Sequence, residues 1–535
     1  MKRLIALSGP VATGKTELCR QLESKHGAVV FRTTDYLIEQ LGRRRVDRTS
    51  LQRAGERIDR LTDGRWVVDA LTRFGPILDD AELVVIDCVR IRPQLIALRR
   101  AFGRRVVHLH LTATLETLAQ RYAQRQASGR IAELASYADL RRSRTERNVH
   151  QLAADADIVI DTDRTTAGGI LVRAAAHLHL SGNPRERLVD VLVGGQYGSE
   201  GKGNVSAHLA SEYDVLVRSG GPNAGHTVMT DSGRHVQHHL PSGTALCEAT
   251  LVLTSGAVID TAGLLAEIAA SQVEAGRLVI DAQATIITDQ HKALEAALVS
   301  AIGSTGSGVG AATAARIMGR SSPALFAQDV PALGPYIGSA HTVIQEALTT
   351  GRRVFVEGTQ GTGLSLLHGP YPHVTSRDTT VSGLLAEAGI APSRLRKTIM
   401  VCRTYPIRVQ SPSEEGRTSG PMHNEIDWQT IARRSGLDIG DLLAQERTST
   451  TGRQRRVSEF DWELLQRSAV LNGPTDIALT FVDQLDRANQ AARRFDQLTP
   501  AAIGFIQEVE RVAAAPVTLI STRFHQRSII DRRSW

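Results

Sequence analysis

Aromatic side chains are scarce. Phe, Tyr and Trp make up 4% of the 535 residues, too few for the stacking platforms that hold single-stranded nucleic acid. Cysteine is scarcer still: Cys19, Cys88, Cys247 and Cys402 are scattered, with no CxxC or His/Cys metal spacing. Neither a disulfide framework nor a zinc site is expected, and the four read as free intracellular thiols. There is no apolar run of about 18 residues, so no membrane span and no membrane partner is expected, and the expected location is the cytoplasm. The chain opens Met1-Lys-Arg-Leu-Ile-Ala-Leu, basic then apolar as a signal peptide would be. That run feeds at once into a phosphate-loop pattern, so a strand is expected there instead. No internal repeat or low-complexity tract stands out.

What is present is the composition of a soluble globular protein, with 42% hydrophobic and 22% charged residues. The length exceeds one ordinary core, so two or more domains are expected. The net charge of +7 comes from arginine-rich stretches at 43–45, 99–105 and 141–147. A basic surface can bind nucleic acid, or arginines can serve phosphorylated small molecules while the rest cover solvated helix faces. No nucleic-acid-binding motif accompanies the charge, so the second reading is preferred and no specific nucleic acid partner is expected.

The first strand, Leu4 to Ser8, leads into Gly9-Pro-Val-Ala-Thr-Gly-Lys-Thr16 and then a helix through about Leu22. This is a complete G-x4-G-K-[ST] pattern between strand and helix. Its backbone amides, with Gly9 and Gly14 permitting the turn, would cradle phosphates; Lys15 would reach the β/γ oxygens and Thr16 would hold Mg2+. A short strand, Ala28 to Arg32, ends in Thr33-Thr-Asp35, and Leu83-Val-Val-Ile-Asp-Cys88 ends in Asp87, either a Mg2+ or base residue or an ordinary strand-end acid. Val106 to Leu111 and Ile158 to Ile160 read as further strands. The region carrying Arg121, Arg125 and Arg130 suits a phosphate-clamping lid. Together, residues 1–180 resemble the nucleoside monophosphate kinase and dephospho-CoA kinase branch of the P-loop fold. The resemblance rests on the Walker loop, Asp87-Cys-Val-Arg90, the arginine helices and Ala156-Asp-Ile-Val-Ile-Asp161. It implies an α/β parallel sheet and a nucleotide kinase with an open acceptor; a regulatory NTPase is the alternative.

Residues 181–186, Ser-Gly-Asn-Pro-Arg-Glu, are a turn-rich break suited to a linker. Beyond it a mostly apolar run, Leu188 to Val193, enters a second glycine-rich loop, Val193-Gly-Gly-Gln-Tyr-Gly-Ser-Glu-Gly-Lys-Gly-Asn204, and a helical pattern follows. Strand, glycine loop and helix again describe a phosphate cradle. Six more Gly/Thr/Arg-rich loops follow: Ser219-Gly-Gly-Pro-Asn-Ala-Gly-His-Thr227, His238 to Gly243, Gly303 to Gly310, Glu357-Gly-Thr-Gln-Gly-Thr362, Gly369 to Ser376 and Thr450-Thr-Gly-Arg-Gln-Arg-Arg456. Any one alone would pass as a turn; six in one domain supply the amides, hydroxyls and guanidinium groups that two phosphorylated substrates require.

The order and wording of these loops, from 187 to 535, resemble adenylosuccinate synthetase. The resemblance implies a second α/β domain that transfers the γ-phosphoryl of GTP to O6 of IMP, after which aspartate's amine displaces phosphate at C6. It implies a homodimer, with Mg2+, L-aspartate, a purine nucleotide and a nucleoside triphosphate as small-molecule partners. Carried over, His226 would be the acid at O6 or the phosphoryl group, with Ser199 and Lys202 beside it in the catalytic loop. The purine nucleotide would be held by Ser199, Glu200, Gly201, Lys202, Asn223, Ala224, Gly225, His226, Thr305, Gln360, Thr375 and Arg453, with Arg320 reaching from the partner. Gly225 and Ser199 would sit at the metal. Thr450, Thr451, Gly452 and Arg453 match the aspartate loop. Gly198, Gly203, Thr227, Arg455, Asp483, Ser521 and Thr522 match the triphosphate site.

The departures raise the sharper question. The family's loop carries Asp where this chain has Ser199, and that Asp removes the N1 proton and ligates Mg2+. A serine hydroxyl is too weak an acid for that role and a poorer ligand. Three explanations stand: a guanine-type substrate (GMP or dGMP), for whose 2-amino group Ser leaves room, as in phage relatives that also carry Ser; IMP, with Glu200 or the substrate aspartate taking the proton; or a nucleotide-binding regulatory protein without ligase activity. Phe481 stands where a Lys is expected in Thr480-Phe-Val-Asp483, and Ser521-Thr-Arg523 replaces Ser-Thr-Gly. The choice of GTP or ATP is therefore open.

Overall fold

The structure, a computed structural model, describes residues 1–41, 47–73, 80–125, 134–180, 186–320, 324–410, 419–447, 452 and 454–533. The chain divides into two compact units, Met1–Ser181 and Gly182–Trp535. Of the expected linker, residues 181–185 lie outside the described residues, as does Arg130 of the expected lid.

The first unit is built on a five-stranded sheet in the order Val29–Phe31, Leu83–Val89, Arg3–Ser8, Val106–Thr112, Ile158–Asp161, every neighbouring pair parallel. Its strands are near-continuous apolar runs because helices cover both faces. The alternation is visible in the central strand, where Ile5 and Leu7 join one core cluster and Leu4 and Ala6 the other. The loop after that strand turns into helix Lys15–His26 at Gly14, φ 95°. The helix runs a turn past its expected end because Leu18, Cys19 and Leu22 are buried and Gly27 caps it in the left-handed conformation at φ 62°.

The second unit carries a ten-stranded sheet. Its order is Ile337–Gly338, Leu278–Asp281, Thr250–Leu253, Val215–Arg218, Val354–Glu357, Val189–Gly194, Leu395–Arg403, Asp476–Thr480, Val517–Ser521, Ile529–Asp531. All pairings are parallel except the last. Two large apolar clusters cover its faces. Phe355, 1% exposed in the middle of the sheet, is a place where truncation to Ala would cost about 3–5 kcal/mol. From Val189–Gly194 the chain builds one side of the sheet, returns through Val354–Glu357 and then builds the other. The carboxyl ends of these two strands and of Leu395–Arg403 therefore form a topological switch point, where open α/β sheets bind ligands. Two small antiparallel elements flank that edge: the hairpin His226–Thr230/Gly233–Gln237 and a three-stranded sheet of Ile407–Val409, Arg455–Ser458 and Glu425–Ile426.

Candidate functional site

At the switch point, strand Val189–Gly194 gives way to a loop that coils back on itself. Gly198, Ser199 and Gly201 take φ of 87°, 56° and 90°, and helix Lys202–Leu209 starts directly behind Gly201. The coil is closed by Glu200, whose Oε1 accepts from Gln196 N at 3.1 Å and Gly198 N at 2.8 Å. Its Oε2 receives Lys202 Nζ at 2.5 Å. Glu200 is 0% exposed, turned into its own loop rather than toward a ligand. Its carboxylate holds the loop, so any contact with the purine nucleotide expected of Glu200 would fall to its backbone. Ser199, by contrast, is exposed on the cleft wall, and its carbonyl accepts from Arg403 Nη1 at 3.4 Å.

Across the cleft, His226 opens a strand of the hairpin, and its Nδ1 meets Glu357 Oε1. Glu357 ends strand Val354–Glu357 and is fully buried; it also accepts from Ser206 Oγ at 2.7 Å, Ser242 N at 2.8 Å and Arg218 Nη1 at 3.3 Å. Arg218, 2% exposed, reaches on to the carbonyls of Ala224 at 2.9 Å and Leu240 at 3.0 Å, tying down the Asn223–Gly225 turn. Burial, helped by the charge of Arg218, pushes His226 down to about 4. Burial works against the ionised form of Glu357, but the contact with His226 and the charge of Arg218 prevail and hold it at about 2. The neutral imidazole therefore donates Nδ1–H to a carboxylate, which leaves Nε2 as its second ring nitrogen.

These walls enclose a cleft of about 430 Å³. Ser199, Lys202, Asn223, Ala224, Gly225, His226, Thr305, Gln360, Thr375 and Arg455 all line it, so the loops scattered along the sequence converge. Thr305 Oγ1 accepts from Ser307 Oγ at 2.8 Å, and Asn223 Nδ2 donates to Thr375 Oγ1 at 3.4 Å. Asn223 Oδ1, Gln360 Oε1 and Ser376 Oγ are buried without a partner among the described residues. Leaving such groups unpaired costs about 1–3 kcal/mol each, so they mark where a polar ligand belongs.

Behind the loop lies a charged knot that sequence reasoning missed. Arg403, 0% exposed, meets Glu446 Oε1 at 2.7 Å, and Arg455 Nη1 meets the same carboxylate at 3.1 Å. Burial opposes ionisation of Glu446, yet the two guanidinium groups lower its pKa. The Arg403 guanidinium lies 4.1 Å over the ring of Phe481, which stacks on Phe524 at 5.6 Å. Arg218, Glu357 and Arg403 each end an apolar strand with a charge, and that pattern was the available signal for all three.

The remaining expected residues are dispersed. Gly201 is half-buried at the helix start, where it caps helix Lys202–Leu209 in the left-handed conformation. Gly203 packs so closely that a Cβ there would meet the Thr227 carbonyl at 2.6 Å. Asp483 is 8% exposed; its Oδ2 accepts from Gln490 Nε2 at 3.1 Å while Oδ1 has no partner among the described residues. Ser521 Oγ donates to the Arg523 carbonyl at 2.8 Å, Thr522 Oγ1 to that of Ser528 at 3.3 Å, and Arg523 Nε to the Gln490 carbonyl at 3.0 Å. Gly452 is exposed, its carbonyl accepting from Arg447 at 3.3 Å. Thr450, Thr451 and Arg453 lie outside the described residues. Arg320 is exposed and off the cleft.

In the first unit a cleft of about 670 Å³ opens over Gly14, Lys15 and Thr16. A Cβ on Gly9, φ 137°, would meet the Leu111 carbonyl at 2.3 Å, so only glycine fits there. Lys15 Nζ donates to the carbonyls of Gly9 at 2.6 Å and Pro10 at 2.7 Å, and burial lowers its pKa. Asp87 lines the same cleft; its Oδ1 accepts from Thr33 N at 2.9 Å and Thr33 Oγ1 at 2.7 Å, and burial raises its pKa. Arg121 also lines it, but its guanidinium is tethered to Thr162 at 2.7 and 3.0 Å rather than loose in a lid.

Among the described residues no cluster of three or more His, Cys, Asp or Glu suits a resident metal. Ser199, Gly225 and Thr16 present neutral oxygens, and Asp87 adds a carboxylate to the cleft that Thr16 lines. They fit Mg2+ only as an ion carried in on nucleotide phosphates, the usual habit of Mg2+ at phosphoryl-transfer sites. No helix among the described residues is long and apolar enough to cross a membrane.

Fold and site together define an α/β nucleotide-handling ligase built around a glycine-rich phosphate loop, preceded by a P-loop domain. A family model described as "Adenylosuccinate synthetase" matches residues 191–323 and 322–491, and one described as "AAA domain" matches 4–150. The adenylosuccinate synthetase of Pyrococcus horikoshii is 36% identical over 353 residues, 64% of this chain and 98% of that protein. A solved cyanophage S-2L succinoaminodeoxyadenylate synthetase, bound to dGMP and dATP as an energy donor, is 30% identical and superposes with a TM-score of 0.55, covering 65% of this chain and 96% of that one. The adenylosuccinate synthetase of Plasmodium falciparum, 21% identical with a TM-score of 0.57, shares the fold and covers 65% of this chain and all of that one. The chain belongs to the adenylosuccinate synthetase family.

Proposed function

We propose that residues 187–535 join L-aspartate to C6 of a 6-oxopurine nucleotide that carries a 2-amino group, GMP or dGMP, while hydrolysing GTP or ATP. The γ-phosphoryl passes to O6, its bond to the β-phosphate oxygen breaking as the O6–P bond forms, while the N1 proton passes to a carboxylate of the bound L-aspartate. The aspartate nitrogen then bonds to C6, and C6–O6 breaks to release phosphate. Lys202 and the loop amides hold phosphoryl oxygens. His226, once an anionic phosphoryl group raises its proton affinity, donates to the developing oxyanion. Ser199 and the Gly225 carbonyl would help hold a Mg2+ ion bound to the triphosphate, which would supply charge neutralisation there.

The observation that carries the choice of purine is the exposed, uncharged Ser199 on the cleft wall, with the neighbouring carboxylate of Glu200 withdrawn into the loop. A small hydroxyl there accommodates an exocyclic amine, and the cyanophage relative bound to dGMP supports the reading. The enzyme is proposed to act in the cytoplasm as a homodimer. The P-loop domain is proposed to transfer phosphoryl groups between nucleotides, supported by Lys15, Thr16 and Asp87 around one cleft.

The test is to supply the full chain with aspartate, Mg2+, ATP or GTP, and IMP, GMP or dGMP in turn. Succinylated product from GMP or dGMP is expected. Product from IMP alone would overturn the 2-amino reading; no product from any purine would leave a nucleotide-binding regulatory protein. Unchanged formation of nucleoside diphosphates from monophosphates in Lys15→Ala would remove the kinase reading.

A further inference from the structure

The cleft of the first unit extends well beyond the phosphate loop, and its far half has a distinct chemistry. Helix Arg48–Thr62 turns Gln52, Glu56 and Asp59 toward it, positions spaced i, i+4 and i+7 and so on one helical face. Leu37, Leu51 and Trp66 line the same region, with Trp66 stacked on Tyr36 at 5.3 Å. Asp59 Oδ1 is held by Trp66 Nε1 at 2.6 Å and Gln94 Nε2 at 2.8 Å. Glu56 Oε1 accepts from Thr145 Oγ1 at 3.1 Å. Among the described residues, neither Asp59 Oδ2 nor Glu56 Oε2 accepts a hydrogen bond, so each carboxylate is fixed through one oxygen and keeps the other for a ligand. Burial raises the pKa of Asp59, so this carboxylate gains from a donor. Arg90, paired with Glu146 at 3.3 Å, lines the same cleft and offers a cation to an acceptor phosphate.

We infer that Gln52, Glu56 and Asp59 form the base-reading edge of an acceptor subsite that takes a guanine nucleoside monophosphate. The inference rests on the phosphotransferase reading above and specifies its substrate. Ionised carboxylates only accept hydrogen bonds. Guanine offers them two adjacent donors, N1–H and the 2-amino group. Adenine sets an N1 lone pair beside its amine, and hypoxanthine has N1–H alone, so each leaves an acceptor unpaired or opposed. The flat apolar wall of Leu37, Leu51 and Trp66 suits a planar ring. In the step itself an acceptor phosphate oxygen bonds to the γ-phosphorus, the bond to the β-phosphate oxygen breaks, and the nucleoside diphosphate leaves with that electron pair. The acceptor oxygen is already ionised, so no proton need be removed. Both halves of the chain would then recognise the same chemical mark, a 2-amino group on a purine.

The experiment uses the full chain with ATP and Mg2+ but no aspartate, so that ligation cannot proceed, and follows dGDP, dADP and dIDP formed from their monophosphates. The expected result is kcat/KM at least tenfold higher for dGMP than for dAMP or dIMP, falling toward equality in Glu56→Gln through a raised KM for dGMP. Asp59→Asn, a second variant that can keep its bonds to Trp66 and Gln94, should fall in the same direction. Equal use of dAMP or dIMP, or a loss in Glu56→Gln shared equally by all acceptors, would overturn the guanine assignment and leave the kinase standing. Formation of no diphosphate from any monophosphate would overturn both.

Discussion

Lys202 Nζ lies 2.5 Å from Glu200 Oε2, with both side chains at 1% exposure or less. Two residues apart in the loop, they lock its coil from inside. Removing one member of such a pair leaves a buried charge without compensation and typically costs about 3–5 kcal/mol. Glu200→Gln should therefore lower the unfolding free energy of the ligase domain by that order, read from urea unfolding with a probe in that domain. Glu200→Gln combined with Lys202→Met should recover part of the loss, because no charge is then stranded. Lys202→Met alone should abolish ligation whatever its stability.

His226 sits at about 4 when free of ligand, against about 6.5 in an unfolded chain. Between those values the unfolded state binds the proton and the folded state does not, so stability falls as pH drops from about 6.5 toward 4. Glu357, held at about 2, adds stability present above its unfolded pKa and lost as pH falls below it. His226→Gln should flatten the pH dependence of the urea midpoint between pH 7 and 5. It should also cut ligase kcat by about 10²–10⁴, the usual contribution of a positioned acid. A variant with unchanged kcat would remove His226 from the chemistry.

The sheet of the first unit was legible because its strands are short apolar runs, from Leu4-Ile-Ala-Leu to Leu83-Val-Val-Ile, bounded by glycine or charge, whereas of the second unit's ten strands few were read beyond the one that feeds the glycine loop. The loops were legible through glycine, threonine and arginine, residues chosen for backbone freedom and phosphate contact. What could not be read was direction. Glu200 and Ser199 are adjacent in sequence, yet the left-handed turn at Ser199 sends one side chain inward and the other to the cleft. Arg218, Glu357 and Arg403 looked like ordinary strand ends. Their partnership with His226 and Glu446 depends on strands that neighbour one another only after the chain doubles back.

Asp483 has one oxygen on Gln490 and one without a partner among the described residues, and burial lifts it to about 6. An acid whose folded pKa is raised contributes stability fully present below its unfolded pKa and lost as pH rises through the folded one. Asp483→Asn should accordingly raise the urea midpoint at pH 7.5 and do so less at pH 5. Ionised Asp483 can accept from guanine N1–H and N2–H but opposes adenine N1. The same variant should lower the ratio of GTP to ATP turnover. Phe481→Lys should raise that ratio, at the expense of the Arg403–Phe481 stacking contact.

Ser199→Asp tests the choice of purine most directly. The residue is exposed on the cleft wall and takes a left-handed conformation at φ 56°, which Asp tolerates better than most residues. The substitution should therefore leave the loop folded while adding a carboxylate that crowds an exocyclic 2-amino group and supplies a base for N1 of a purine that lacks one. The expected result is a fall in kcat/KM for dGMP and GMP together with a rise for IMP. The two changes together should shift the ratio by a hundredfold or more, about 2.7 kcal/mol of differential transition-state binding. Turnover of guanine nucleotides that improves in Ser199→Asp would mean the serine is a loss the enzyme tolerates rather than the feature that selects its substrate.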